Sequence, residues 1–498
     1  MAASAAIIAA LRSALADPLR RGDEDARYAY AVSGPLFIEV VSLFSARLLA
    51  TRCDADGVAP RLPADAALWR SAFHGEPYPE ARALRLLRQG VLRPATWRRL
   101  ARPFADLTRP EFFRRRPIEL VRSADIVTVT PCPLTRKHAE LAGLRPVFTP
   151  LYEWFYPATQ GELARDPLRP ISPALRDSLV GALEGAFAQA GAGRARVPQD
   201  ALPNLLDETT AWARFYLRRI ERRPDRIPNR LWKGSSGVVW SRLLADAVRA
   251  SGGEVTGHDH AYGANYSEDT LMPFTELQAN DYFVTYTHAH AALYERNGRK
   301  LQIGPSLPRI MPMRQRVSDG DGPCVGIIKE PRSLLYVPSF LSNGRFGAMP
   351  HFPPIMAVDW QARLYTMLKG MGLTVTQKPH PESAVAPLPV FARDFGVQTC
   401  YGRFEDVMGD YDVVLFDFAP QTCFGSALRS DRSMVLIDFG ITRYGPELRA
   451  MLERRCAIVP GTFDAQNRAQ VNSDALREAI HRSTKLRDPA FADAIISL

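Results

Sequence analysis

Residues 230–260 read RLWKGSSGVVWSRLLADAVRASGGEVTGHDH. RLWK has the apolar character of a strand, GSSG is a turn, the run to Ala250 has helical spacing, and Gly252-Gly253 stops it. EVT then begins a second strand. Strand, helix and strand in this order build a parallel sheet, because a parallel return requires a crossover connection. The second strand runs out into Gly257, His258, Asp259 and His260. Open parallel sheets bind ligands at the carboxyl ends of their strands, so these side chains stand where such a sheet presents its chemistry.

The same alternation extends in both directions. Upstream, ADIVTVTP (124–131) and RPVFTPLYEW (145–154) read as strands, and 173–191 and 207–222 as helices. The part before residue 120 reads as helical, including PLFIEVVSLFSARLLA with its proline at the start. Downstream, NDYFVTYTHAH gives another strand with a polar exit. The polar, glycine-rich RVSDGDGPC (316–324) then separates two α/β halves, predicting domains over 1–318 and 319–498. In the second half CVGIIKEP, LTVTQKPHPE, GVQTC, DVVLFDFAP, SMVLIDFG and CAIVPG read as strands with helices between. The expected class is α/β, with two doubly wound, Rossmann-like domains facing a cleft and extra N-terminal helices.

At 498 residues the chain is too long for one ordinary core, and 46% hydrophobic with 23% charged residues is the composition of a globular protein. No window approaches the roughly 20 apolar residues that span a bilayer. MAASAAIIAALRSALADPLRR lacks a basic leader and reads as an amphipathic helix rather than a signal peptide. Six scattered cysteines without a CxxC pair predict reduced core thiols and a cytoplasmic location. His288 and His290 lack a nearby carboxylate, so no metal site is expected. Lys plus Arg (63) exceed Asp plus Glu (53), a net +10 that suits an anionic partner, although arginine-rich composition also arises without function. No nucleic-acid-binding motif accompanies the charge, which disfavours nucleic acid.

Three segments carry the candidate chemistry. In QKPHPES (377–383), Lys378 and His380 follow a strand, and the flanking prolines stiffen the loop that would hold them against a phosphate. In DFAPQTCFGS, Gln421, Thr422 and Ser426 surround a helix start able to take a phosphate or ribose. In GHDH, Asp259 is the catalytic candidate, flanked by His258 and His260, with Gly257 letting the backbone turn sharply. Glu153, among aromatic residues, is a candidate acid/base partner whose carboxyl burial would raise. Lys329 is a candidate phosphate contact, and at most one of His288 and His290 faces the cleft, His290 being the candidate. GSSG opens a helix and can bind an anion. Each segment also has a plain structural use: a proline-rich loop, a capped helix, or an aspartate capping a turn.

The order of strand-KPHP, strand-Asp-loop-helix and VLIDFG resembles the C-terminal half of GT-B glycosyltransferases. The likeness is to bacterial enzymes of surface-polysaccharide synthesis that use cytidine-linked donors: retaining β-Kdo transferases, sialyltransferases and CDP-glycerol glycerophosphotransferases. It rests on His380-Pro381 as an HP motif and on the hydroxyls Thr422 and Ser426 at a helix start, and covers roughly residues 230–440. The resemblance implies a metal-independent transferase without a resident cofactor. It would move a Kdo-like acidic sugar from a CMP donor to a lipopolysaccharide or capsule glycan. Asp259 matches the aspartate that attacks the anomeric carbon in the retaining β-Kdo enzymes, and His258 or His260 matches the basic histidine of the glycerophosphotransferases. The acceptor would be anionic or lipid-linked, met by the basic N-terminal domain at the inner face of the cytoplasmic membrane. A CDP-glycerol or UDP-sugar transferase on the same fold, and a non-catalytic scaffold of an assembly complex, stay open as alternatives.

Overall fold

The computed structural model describes residues 2–57, 70–71, 75–76, 78–91, 114–115, 125–193, 198–234, 236–260, 267–268, 272–304, 306–313, 330–338, 354–379, 389–419, 421–440, 442–466 and 468–495. These fall into two compact units, the first within 2–260, 272–285 and 294–311, the second within 267–268, 286–293 and 312–495.

The first unit carries β1 (Arg114–Arg115), β2 (Val127–Val129), β3 (Val147–Phe148), β4 (Arg230–Lys233), β5 (Glu254–His258), β6 (Tyr282–Thr285) and β7 (Arg309–Pro312). They lie in the order β1-β3-β2-β4-β5-β6-β7. The pairs from β1 through β6 are parallel. The chain moves outward from β2 to β3 and then returns to place β4 on β2's other side, so the topological switch point lies between β2 and β4. The stretch quoted first is the β4–helix–β5 unit, with its helix at Val239–Ala250. Sequence reading missed β1, because two arginines in EFFRRRPIEL carry no strand pattern.

The N-terminal part is helical as expected, but its second helix differs. Glu24–Ala55 begins eleven residues before Pro35, capped by Asp23, whose carboxylate accepts from the Ala26 amide at 3.1 Å. Pro35 therefore sits inside it. This helix is long and apolar enough to cross a membrane by length and composition, contrary to the expectation that no segment approaches that limit. Its apolar residues are instead mostly buried in the unit, among them Tyr28, Phe37, Val40 and Leu43. The guanidinium of Arg242, fully buried on Val239–Ala250, holds it there by donating to Tyr30 O, Ala31 O and Ser33 Oγ, and also to Thr275 O and Gln278 Oε1. Arg47 adds a bidentate pair with Glu184 at 2.7 and 2.9 Å.

The second unit carries β8 (Ser333–Val337), β9 (Thr374–Gln377), β10 (Gln398–Thr399), β11 (Val413–Phe416), β12 (Ser433–Asp438), β13 (Ala457–Phe463) and β14 (Ala469–Val471), in the order β10-β9-β8-β11-β12-β13-β14. All pairs are parallel except the antiparallel β13–β14. Alternate side chains feed two cores. Leu334, Tyr336, Val413 and Leu415 meet Trp360 and Leu364 of the helix Pro354–Gly370, while Leu335, Val337, Val414 and Phe416 meet Phe424 and Leu452. Near-continuous apolar strands are what a sheet covered on both faces requires. Residues 324–329 of CVGIIKEP lie outside the described residues, and SLLYV (β8), which sequence reading did not single out, forms a central strand. The α/β class, with two parallel sheets and added N-terminal helices, matches the sequence expectation.

Candidate functional site

The GHDH segment is best understood from the strand register. Trp232 pairs with Thr256 and Lys233 with Gly257, so Trp232 and His258 share one face of the sheet while Lys233 and Gly257 share the other. Gly257 lies within β5 and is not a turn residue. A Cβ there would stand 2.6 Å from Asn280 Nδ2, so the glycine is needed for close approach, which corrects the turn expectation. At the switch point Gly234 plays a similar part, since a Cβ would come 2.4 Å from Thr130 O.

On the Trp232 face, the ring of His138 stacks on Trp232 with centroids 4.4 Å apart. Its Nδ1 lies 3.0 Å from His258 Nε2. His258 Nδ1 donates to Lys233 O at 3.3 Å, which leaves Nε2 as the acceptor for His138. Burial, with His138 adding to it, pushes His258 down to about 3. His258 is therefore neutral, fully buried, and has both ring nitrogens engaged.

On the Lys233 face stands a residue that sequence reading missed. Glu276, 1% exposed, accepts from the Ser236 amide at 3.1 Å and lies 3.4 Å from His260 Nδ1. Asn280 Nδ2 donates to Glu276 O at 2.7 Å and fixes the turn that carries it. Burial opposes charge on His260, but Glu276, with Asp259 contributing, outweighs it and lifts the imidazole to about 9. Burial likewise opposes charge on Glu276, yet His260, the Ser236 amide and Lys233 hold its carboxyl below the usual range. The amide of the GSSG turn, expected to hold an external anion, thus holds the protein's own carboxylate.

Asp259 lies between these two histidines and is fully buried. Its N–H donates to Val284 O at 3.0 Å, extending the ladder one residue past β5, and its carbonyl accepts from Cys132 Sγ at 3.6 Å. Burial, the nearby Asp259 charge adding to it, pushes the Cys132 thiol up to about 11 despite the opposing Thr135 hydroxyl. The arrangement is a carboxylate at a strand end, bracketed by one neutral and one cationic imidazole.

Glu153 is half-buried in a short turn, Leu151–Glu153, after β3. The sheet order puts β2 and β4 between β3 and β5, a separation of roughly 14 Å at the strand axes. His288 and His290 open the helix His288–Leu301 rather than continuing a strand; His288 is exposed and His290 is buried.

In the second unit, Lys378 leaves β9 with its amide donating to Tyr336 O at 2.8 Å, and its side chain is buried. Gln421 precedes the helix Thr422–Leu428 and turns its Nε2 back to Phe418 O at 2.7 Å. Thr422 is exposed, and the Ser426 hydroxyl donates to Glu405 at 2.8 Å. Asp417, at the end of β11, is structural: it accepts from Tyr336 Oη at 2.5 Å and Trp360 Nε1 at 2.9 Å. His380 and Lys329 lie outside the described residues. Among the described residues no three His, Cys, Asp or Glu side chains are grouped to hold a metal ion.

Glu276, His138 and Lys233 are the residues sequence reading passed over. The one available signal for Glu276 was its position in MPFTELQAND, a lone acid between Phe274 and Leu277.

No family model matches the chain, and no curated protein matches it. Among solved structures it is similar to the spinosyn forosaminyltransferase SpnP, at 13% identity and a TM-score of 0.30, over 74% of this chain and 84% of that one. A likeness at that score decides neither fold nor activity, so the α/β description rests on the two sheets themselves.

Proposed function

We propose that the protein is a GT-B-type glycosyltransferase that moves a Kdo-like acidic sugar from a CMP donor to an anionic or lipid-linked surface glycan. The setting of Asp259 carries this reading. A buried carboxylate at the carboxyl end of a parallel strand, beside a cationic imidazole, suits an electron-poor anomeric carbon that bears its own carboxylate. Asp259 attacks that carbon, the bond to CMP breaks, and CMP leaves with the electron pair. The acceptor hydroxyl then attacks the same carbon, gives its proton to solvent water, and releases the Asp259 carboxylate.

In this reading His260 pairs with the sugar carboxylate, and His258 positions the strand end from below. The donor nucleotide is assigned to the second unit, to Lys378, His380, Lys329 and the Gln421–Thr422 turn. No metal or resident cofactor is invoked.

The test is intact-protein mass spectrometry of the wild type with CMP-sugar alone. One added sugar, on the peptide containing Asp259, is expected, and Asp259→Asn should lose turnover. Full activity in Asp259→Asn removes the residue from the reaction. Turnover without an adduct, giving an inverted product, replaces the nucleophile with a base.

A further inference from the structure

We propose that the turn joining β4 to the helix Val239–Ala250 is a binding site for the anionic group of a ligand, with Lys233 as its counter-ion. Lys233 ends β4, one of the two strands that flank the switch point of the first sheet. It is fully buried, and its Nζ has no hydrogen-bond partner among the described residues. A buried polar group without a partner is uncommon in a native structure, and one at a ligand-binding edge is most simply explained by a partner that arrives with ligand. In the neighbouring turn the Ser236 amide, two residues before the helix N-cap, is already taken by the Glu276 carboxylate, which leaves the Lys233 amine as the group there for an arriving anion.

The charges around Lys233 explain how it would respond. Burial, and then Arg242, keep its amine well below an ordinary lysine; Arg249 opposes protonation as well, while Glu276 and Asp281 favour it. Glu276 is shared with His260, the outer member of the cluster, whose side chain is 36% exposed. Asp259 adds a further negative group beside His260. An anion arriving at His260 adds one negative charge to a low-dielectric cluster. In this proposal the added negative charge favours the charged form of the buried Lys233 amine, which takes up a proton from solvent as the anion binds. His258 cannot do this, because both of its ring nitrogens are engaged.

This deepens the glycosyl-transfer reading by naming an anionic group as the part recognised in the first unit, and it rests on that reading only for the biological source of the anion. The experiment therefore uses no sugar donor. Sulfate and, separately, acetate are titrated calorimetrically into the full chain at pH 7.5, in buffers of different ionisation heat. Binding accompanied by net proton uptake is expected. Tight sulfate with weak acetate binding identifies a phosphate-like group, and the reverse a carboxylate. Lys233→Met should remain folded by circular dichroism, bind roughly tenfold or more weakly, and take up no proton. Lys233→Arg should bind without uptake, because a guanidinium is already charged. If neither anion binds the wild type, if binding brings no proton uptake, or if Lys233→Met shows unchanged affinity and uptake, the assignment is wrong.

Discussion

Nδ1 of His138 lies 3.0 Å from Nε2 of His258, and both rings lie against Trp232. Burial, with the contact adding to it at His258, keeps both imidazoles neutral inside the first unit and gives stability a defined pH dependence. Folded His258 refuses a proton down to about 3, whereas an unfolded histidine accepts one near 6.5. Between those values the unfolded chain binds more protons, so stability falls as pH falls. At pH 5.5 the loss from one such histidine is about 1 kcal/mol. Urea denaturation at pH 7.5 and 5.5 measures it, and His258→Gln should flatten the difference. An equally steep fall in His258→Gln would place the titrating group elsewhere.

His260 acts in the opposite sense. Its imidazole is lifted to about 9, so its contribution to stability is fully present below about 6.5 and is lost as pH rises toward 9. Glu276→Gln keeps an oxygen for the Ser236 amide but removes the charge. The His260 ring proton, followed by NMR, should then titrate well below 9, because the burial that opposes its charge is no longer outweighed. A wild-type midpoint already near 6.5 would show that the Glu276 pair does not form in solution.

Gly257→Ala should be destabilising by roughly 1–3 kcal/mol, because its new methyl would stand 2.6 Å from Asn280 Nδ2. Asn280 cannot easily move, since it donates to Glu276 O and Leu277 O. The pair Gly257→Ala with Asn280→Ala should cost less than the sum of the single changes, which denaturant midpoints will reveal. Strict additivity would deny the steric coupling.

Arg242→Ala should cost roughly 3 kcal/mol or more, because it takes the guanidinium donors from the oxygens of Ala31 and Thr275 and leaves Tyr30 O to the Ser33 hydroxyl. The loss should appear as a lower urea midpoint and as faster amide exchange in Glu24–Ala55. A change within about 0.5 kcal/mol, the range of ordinary surface substitutions, would mean that water replaces the guanidinium.

Free CMP should raise the melting temperature more than CDP or UDP, and Lys378→Ala should reduce that rise, since stabilisation grows as RT ln(1 + [L]/Kd). A larger rise with UDP would redirect the donor assignment. An unchanged rise in Lys378→Ala would remove that residue from the nucleotide site.

Much of the fold was legible because the elements carry their signals locally. In 230–260 the apolar run, the glycine stop and the second strand follow one another without any long-range information. Failures came where local chemistry gave no signal. Arg114–Arg115 form a strand only because β3 pairs with them. Pro35 marks a helix start in most sequences, yet here the helix begins eleven residues earlier, because Asp23 provides the cap and buried packing supports the rest.

The sequence alone determined that two parallel sheets would form and that Asp259 and His260 would follow a strand, because strand, turn and helix preferences act between near neighbours; His258 proved to be the last residue of that strand. Only the tertiary structure decided what those histidines are. Glu276 meets His260 from sixteen residues away, and His138 meets His258 from 120 residues away, each brought in by sheet order and register. Charge on a buried imidazole depends on what the folded chain packs against it. Two histidines flanking one aspartate therefore emerge with opposite protonation, a difference that local sequence cannot encode.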